Sequence, residues 1–72
     1  MEYTVILEPD DEGQGLTVLV PALPGCITQG RTREEAIARA KEAIAAYIES
    51  LQADGEAVPE ETQPIEVLKV AV

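Results

Sequence analysis

An α+β domain of β-β-β-α-β order, with one helix packed on a four-stranded sheet, is the fold this sequence predicts. Three observations predict it. Short runs rich in β-branched and apolar residues occupy 3–8, 16–20 and 26–29, each bounded by proline, glycine or acid-rich turns. A stretch opening at Thr32 repeats apolar residues at spacings of three and four. A last apolar run covers 65–70 and extends toward Val72. No repeat or composition break divides the chain, so residues 1–72 form a single domain.

The first run, YTVILE, is too short for a helix, and its alternation places Tyr3, Val5 and Leu7 on one face. Residues 9–15, PDDEGQG, read as a hairpin loop. The second run puts Leu16, Val18 and Val20 on one face. Pro21 and Pro24 cannot donate ladder hydrogen bonds, so the strand ends there. Pro24–Gly25 carries the signature of a type II turn, with glycine at the position that needs φ > 0. The third run follows and stops at Gly30.

Thr32 and Glu35 have the spacing of a capping box, in which the threonine oxygen accepts from the Glu35 amide and the glutamate reaches back to the Thr32 amide. Ile37, Ala40, Ile44, Tyr47, Ile48 and Leu51 then define the core face of an amphipathic helix. Ala36 and Ala43 flank this stripe and let a sheet approach closely. Gly55 marks the C-cap region. In the last run both faces are largely apolar, only Glu66 and Lys69 being charged, which is unusual for a strand with one face in water. One helix covers one face of the sheet, so Ile6, Leu19 and part of the last strand are expected on an uncovered face suited to a partner or a second copy.

Composition bounds the function. A chain of 72 residues has a small core and often needs a staple. Cys26 is the only cysteine and there is no histidine, so neither an internal disulfide nor a Cys/His zinc site is available. A partner subunit remains, and a homodimer or higher homo-oligomer is expected. The formal net charge is −9, and outside residues 31–41 one lysine stands against twelve carboxylates. This disfavours nucleic-acid binding by the chain alone and favours a basic partner. No apolar run approaches a membrane span and no signal pattern opens the chain, so no membrane role and a cytoplasmic location are expected.

The residues Tyr3, Val5, Leu7, Glu8 and Pro9, the stretch V-P-x-L-P-G-C-x-T-Q-G-x-T-x-E-E-A from Val20 to Ala36, and K-E-A-I from Lys41 to Ile44 together resemble the HicB-like antitoxin family. The resemblance covers nearly the whole chain. It implies a partial ribonuclease-H-like fold and a role in a toxin–antitoxin pair, in which a small basic RNA-cleaving protein of HicA type is bound and silenced. Longer members append a ribbon-helix-helix or helix-turn-helix domain. None follows here through Val72, so operator binding is not expected of this chain.

The central motif has local structural work for each residue. Pro21 and Pro24 break the strand, Leu23 and Cys26 suit burial, Gly25 turns the chain, Thr28 lies in the third strand, Gly30 frees the backbone, and Thr32 with Glu35 caps the helix. Cys26 has no histidine to activate it and reads as a packing residue. Asp10, Asp11 and Glu12 are adjacent in a loop, whereas a two-metal nuclease site needs carboxylates converging from separate elements. No catalytic residue, metal or cofactor is therefore expected. Glu8, Asp10, Asp11 and Glu12 are the candidates for contacting a basic partner. Arg31, Arg33, Arg39 and Lys41 form the one basic patch, read as pairing with nearby acids. Two rival readings stay open: a stand-alone interaction or small-ligand module without a toxin, and a ribonuclease-H-type hydrolase, the latter disfavoured because the first-strand positions Tyr3, Thr4, Val5, Ile6 and Leu7 offer no acid.

Overall fold

Four elements follow one another in the computed structural model, which describes residues 1–11 and 13–72: β1 (Ile6–Pro9), β2 (Leu16–Leu19), β3 (Ile27–Gly30) and α1 (Arg33–Ala53). The three strands form an antiparallel meander in the order β1-β2-β3. Ile6 faces Leu19 and Leu7 faces Val18 across the first pair; Leu19 faces Ile27 and Val18 faces Thr28 across the second.

The Asp10 amide bonds the Gly15 carbonyl at 3.0 Å, which fixes the phase of the first pair. Even-numbered residues of β1 therefore turn their backbone groups to β2, and those of Leu7 and Pro9 turn to the open edge. Proline at that point costs the ladder nothing and blunts the edge.

The helix lies across one face of the sheet. Val18, Ala36 and Ala40 are buried together, with Val5, Leu7 and Leu16 packed against them. A second cluster buries Val20, Leu23 and Cys26 against Tyr3, Val5, Ala43, Ile44 and Tyr47. Alanines carry the closest contact, so the helix sits low on the sheet. A Cβ on Gly30 would lie 2.5 Å from the Ala36 nitrogen, a separation no side chain tolerates.

Both helix ends follow local chemistry. Thr32 is the N-cap, and its hydroxyl accepts from the Glu35 amide at 3.1 Å. The Glu35 carboxylate reaches one residue further than expected and accepts from the Arg31 amide at 3.2 Å. At the far end the Gly55 amide bonds the Gln52 carbonyl and the Glu56 amide bonds the Leu51 carbonyl, the pair of bonds of a Schellman motif.

The expected fold class needs correction. Residues 65–72 join no sheet, so the architecture is a three-stranded sheet and one helix, not a four-stranded, partial ribonuclease-H-like domain. The apolar, β-branched composition of this run is a local property. A strand forms only where a neighbour supplies backbone partners, and here the chain before this run is tied instead to Tyr3 and Thr4, ahead of β1. Tyr3 Oη donates to the Pro59 carbonyl at 2.6 Å, the Thr4 amide donates to Glu61 Oε1 at 2.7 Å, and the Thr4 hydroxyl bonds Glu61 Oε2. Smaller shifts occur at strand ends: β1 begins at Ile6, β2 ends at Leu19, and Cys26 belongs to the turn before β3.

Candidate partner-binding surface

The V-P-x-L-P-G-C stretch folds as two successive β-turns. The Leu23 amide bonds the Val20 carbonyl at 3.0 Å, and the Cys26 amide bonds the Leu23 carbonyl at 3.0 Å. Each turn has proline at its second position, where the fixed φ is preorganised. Gly25 takes φ +80° at the third position of the second turn, as a type II turn requires. The Val20 amide then closes the loop on the Cys26 carbonyl at 3.2 Å. Leu23 is fully buried and acts as the plug of the loop. Burial also pushes the Cys26 thiol above its ordinary pKa, which lowers its thiolate fraction. Tyr47 reaches over from the helix and donates to the Pro24 carbonyl at 2.7 Å.

The sheet face away from the helix has two rows. Ile6, Leu19 and Ile27 stand directly opposite one another, and Ile27 is 61% exposed. These three, with Pro21 and Pro24, border a shallow apolar depression of about 300 Å³. The next row is Glu8, Thr17 and Gln29. Ile6 and Leu19 thus lie on the face expected of them, and Ile27 joins them through the register.

The acidic candidates cluster at the β1–β2 hairpin. Glu8, Asp10 and Asp11 are exposed, and Glu12 lies outside the described residues. Asp10 has local work as well: its carboxylate accepts from the Gln14 amide at 2.9 Å and its carbonyl accepts from the Gly13 amide at 3.0 Å. An open cleft of about 500 Å³ runs from this hairpin to the start of the helix. Asp10, Gln29, Arg31, Glu35 and Arg39 line it, so two residues of the basic patch and two acids share one depression. Arg33 and Lys41 are exposed elsewhere on the helix.

Sequence reading missed the clamp between residues 3–4 and 59–61, because nothing local links groups 56 and 57 positions apart. In that clamp the Thr4 hydroxyl, and then its amide, hold the Glu61 carboxyl below the ordinary glutamate range. Among the described residues, no group of three or more His, Cys, Asp or Glu side chains is placed to hold a metal ion. Among the same residues no helix is long and apolar enough to cross a membrane.

A proline-turned motif loop, a capped helix and an open sheet face make up this small acidic domain, and comparison with known proteins places it in a family. The family described as HicB_like antitoxin of bacterial toxin-antitoxin system matches residues 3–71. The chain belongs to this HicB-like antitoxin family. It is 56% identical over 59 residues to a UPF0150 protein of Thermoplasma acidophilum, covering 82% of this chain and 84% of that one. It is 46% identical over 70 residues to a UPF0150 protein of Synechocystis, covering 97% and 87%. It is also 44% identical over 59 residues to Antitoxin HicB 1 of Photorhabdus laumondii, covering 82% of this chain but 37% of the longer relative.

Proposed function

We propose that this protein is a non-catalytic cytoplasmic antitoxin that binds a small basic RNA-cleaving toxin of HicA type and covers its RNA-binding surface. The observation that carries the reading is the exposed acidic hairpin, Glu8, Asp10 and Asp11, on a chain of net charge −9. A surface that binds RNA must be basic, and an acidic surface competes for it by the same electrostatics. Family membership and the likeness to a protein named as an antitoxin support the reading. It needs no reacting group on this chain. The central motif then serves to hold the helix and hairpin in place.

The test is binding to the basic protein encoded beside this chain's own gene, by calorimetry at low and high salt, with RNA cleavage as the second readout. The expected result is a complex that stops cleavage and weakens as salt rises. Asp10→Asn with Asp11→Asn should weaken it about tenfold and flatten its salt dependence. A folded chain that leaves cleavage untouched would overturn the reading. The mixed-charge cleft favours one second reading, a small-ligand or interaction module with no toxin. Its volume of about 500 Å³ falls in the range of small-molecule sites.

A further inference from the structure

We propose that the cleft between the β1–β2 hairpin and the start of α1 binds a small zwitterion of the free α-amino-acid class, its carboxylate taken by Arg31 and Arg39 and its ammonium by Glu35. The cleft holds about 500 Å³, the size of a small-molecule site. Its walls are polar almost throughout. Thr17, Thr28 and Gln29 come from the sheet, and Leu16 is the one large apolar residue of the lining among those described. An apolar ligand there would cover charged groups and pair none of them.

The cations of the cleft are unspent. Glu35 precedes Arg39 by four residues, the spacing at which a helical glutamate and arginine pair. They do not pair here. The Glu35 carboxylate is taken up by the Arg31 amide, as part of the helix cap. The Asp10 carboxylate likewise accepts from the Gln14 amide. Among the described residues neither the Arg31 nor the Arg39 side chain makes an ion pair or a hydrogen bond, so the pairing with nearby acids expected of these two is absent. Two residues with free guanidiniums therefore line one depression, and a planar carboxylate is a group that their forked donors match.

The charge balance selects a zwitterion over a simple anion. A net charge of −9 opposes the approach of any anion, and Asp10 and Glu35 within the cleft oppose a second negative charge. A zwitterion has no net charge to be repelled, and a cleft lined by two acids and two bases matches it group by group. Its ammonium has an acceptor in Glu35, whose carboxylate keeps lone pairs beyond the one given to the Arg31 amide. The walls are set before any ligand arrives. A Cβ on Gly15 would stand 2.9 Å from the Gly30 carbonyl oxygen, 3.4 Å from Asp10 Oδ2 and 3.7 Å from the Arg31 Cα. Hairpin and helix entry thus meet at a glycine with little room to close further, and a preformed site loses less on binding. The proposal rests on the small-ligand reading of this cleft and is independent of any toxin.

The test is a titration of the isotope-labelled full chain, with no partner present, by L-glutamine, followed through its amide chemical shifts. The expected result is saturable shifts confined to the lining, at Thr28, Gln29, Arg31 and Arg39, with a dissociation constant below about 1 mM. L-glutaminamide lacks the carboxylate and N-acetyl-L-glutamine lacks the ammonium, and each should bind at least about tenfold more weakly. Arg31→Gln with Arg39→Gln should have the same effect. Arg33→Gln with Lys41→Gln makes the same change of charge elsewhere on the helix and should leave binding unchanged. All four side chains are exposed, so circular dichroism should report the same fold throughout. Glutamine that moves no lining amide at about 10 mM would overturn the proposal. So would equal binding by both arginine-bearing and arginine-free clefts, or acetate or inorganic phosphate binding as tightly as glutamine. A simple anion bound in place of glutamine would leave the small-ligand reading standing and remove the zwitterion, whereas no binding by any of these probes would count against both.

Discussion

The hydroxyl of Tyr47 donates a 2.7 Å hydrogen bond to the carbonyl of Pro24, tying the middle of the helix to the motif loop. This carbonyl lies between the two turn residues Pro24 and Gly25 and takes no part in the bonds that close either turn. The helix therefore holds the loop from outside while Leu23 holds it from within. Tyr47→Phe should cost about 0.5–1.5 kcal/mol in urea unfolding. It should also speed proteolysis within residues 21–26 before the rest of the fold is affected. Equal stability with equal loop protection would show the bond to be idle.

Gly30 is set by close approach. An added Cβ would meet Ala36 nitrogen and Cα at 2.5 and 2.6 Å, both backbone atoms that cannot rotate away. Gly30→Ala should push the helix from the sheet and cost about 1–3 kcal/mol, a large share of what so small a core supplies. Thermal unfolding checks this, and an unchanged midpoint would refute the close contact.

Thr32 and Glu35 form a cap with two separable halves. Thr32→Ala removes the acceptor of the Glu35 amide and should cost about 1 kcal/mol. That corresponds to a drop of about 4–8 °C in a domain of this size. Glu35→Gln keeps an acceptor for the Arg31 amide and should cost less. A larger effect from Glu35→Gln would mean that the cleft it lines, with Arg31 and Arg39, matters more to stability than the cap.

Glu61 should make the clamp pH-dependent. Thr4 hydrogen bonds lower its folded pKa, so its contribution is complete above the ordinary glutamate range. It is lost as pH falls through that range to the lowered value. Protection of the Thr4 amide, its exchange measured against the unstructured-chain rate at each pH, should therefore fall on acidification, and Glu61→Gln should remove that dependence while leaving a carbonyl acceptor. A Thr4 amide whose exchange follows the unstructured-chain pH profile in both proteins would count against the clamp.

Much of the candidate surface was legible because its features are local. Glu8, Asp10 and Asp11 could be placed on an exposed hairpin from proline, acids and glycines in succession. That the Asp10 carboxylate also binds the Gln14 amide emerged only with the loop's folded shape. The cleft joining Asp10 to Arg31, Glu35 and Arg39 needed the hairpin and helix start to be brought together.

By itself the sequence determined three strands, their inward faces, two turns and a capped helix, each in nearly its observed place. These depend on interactions within a few residues: the alternation that sorts Leu7 and Val18 inward, the prolines and Gly25, and the Thr32 cap. Tertiary structure alone decided the joins between distant groups: Tyr47 with Pro24, Tyr3 with Pro59, and Thr4 with Glu61. It also decided the fate of residues 65–72, which have the composition of a strand and lie outside the sheet. The reason is physical. Backbone conformation responds to near neighbours, but a strand needs an edge, and which edge is open is settled by the folded chain.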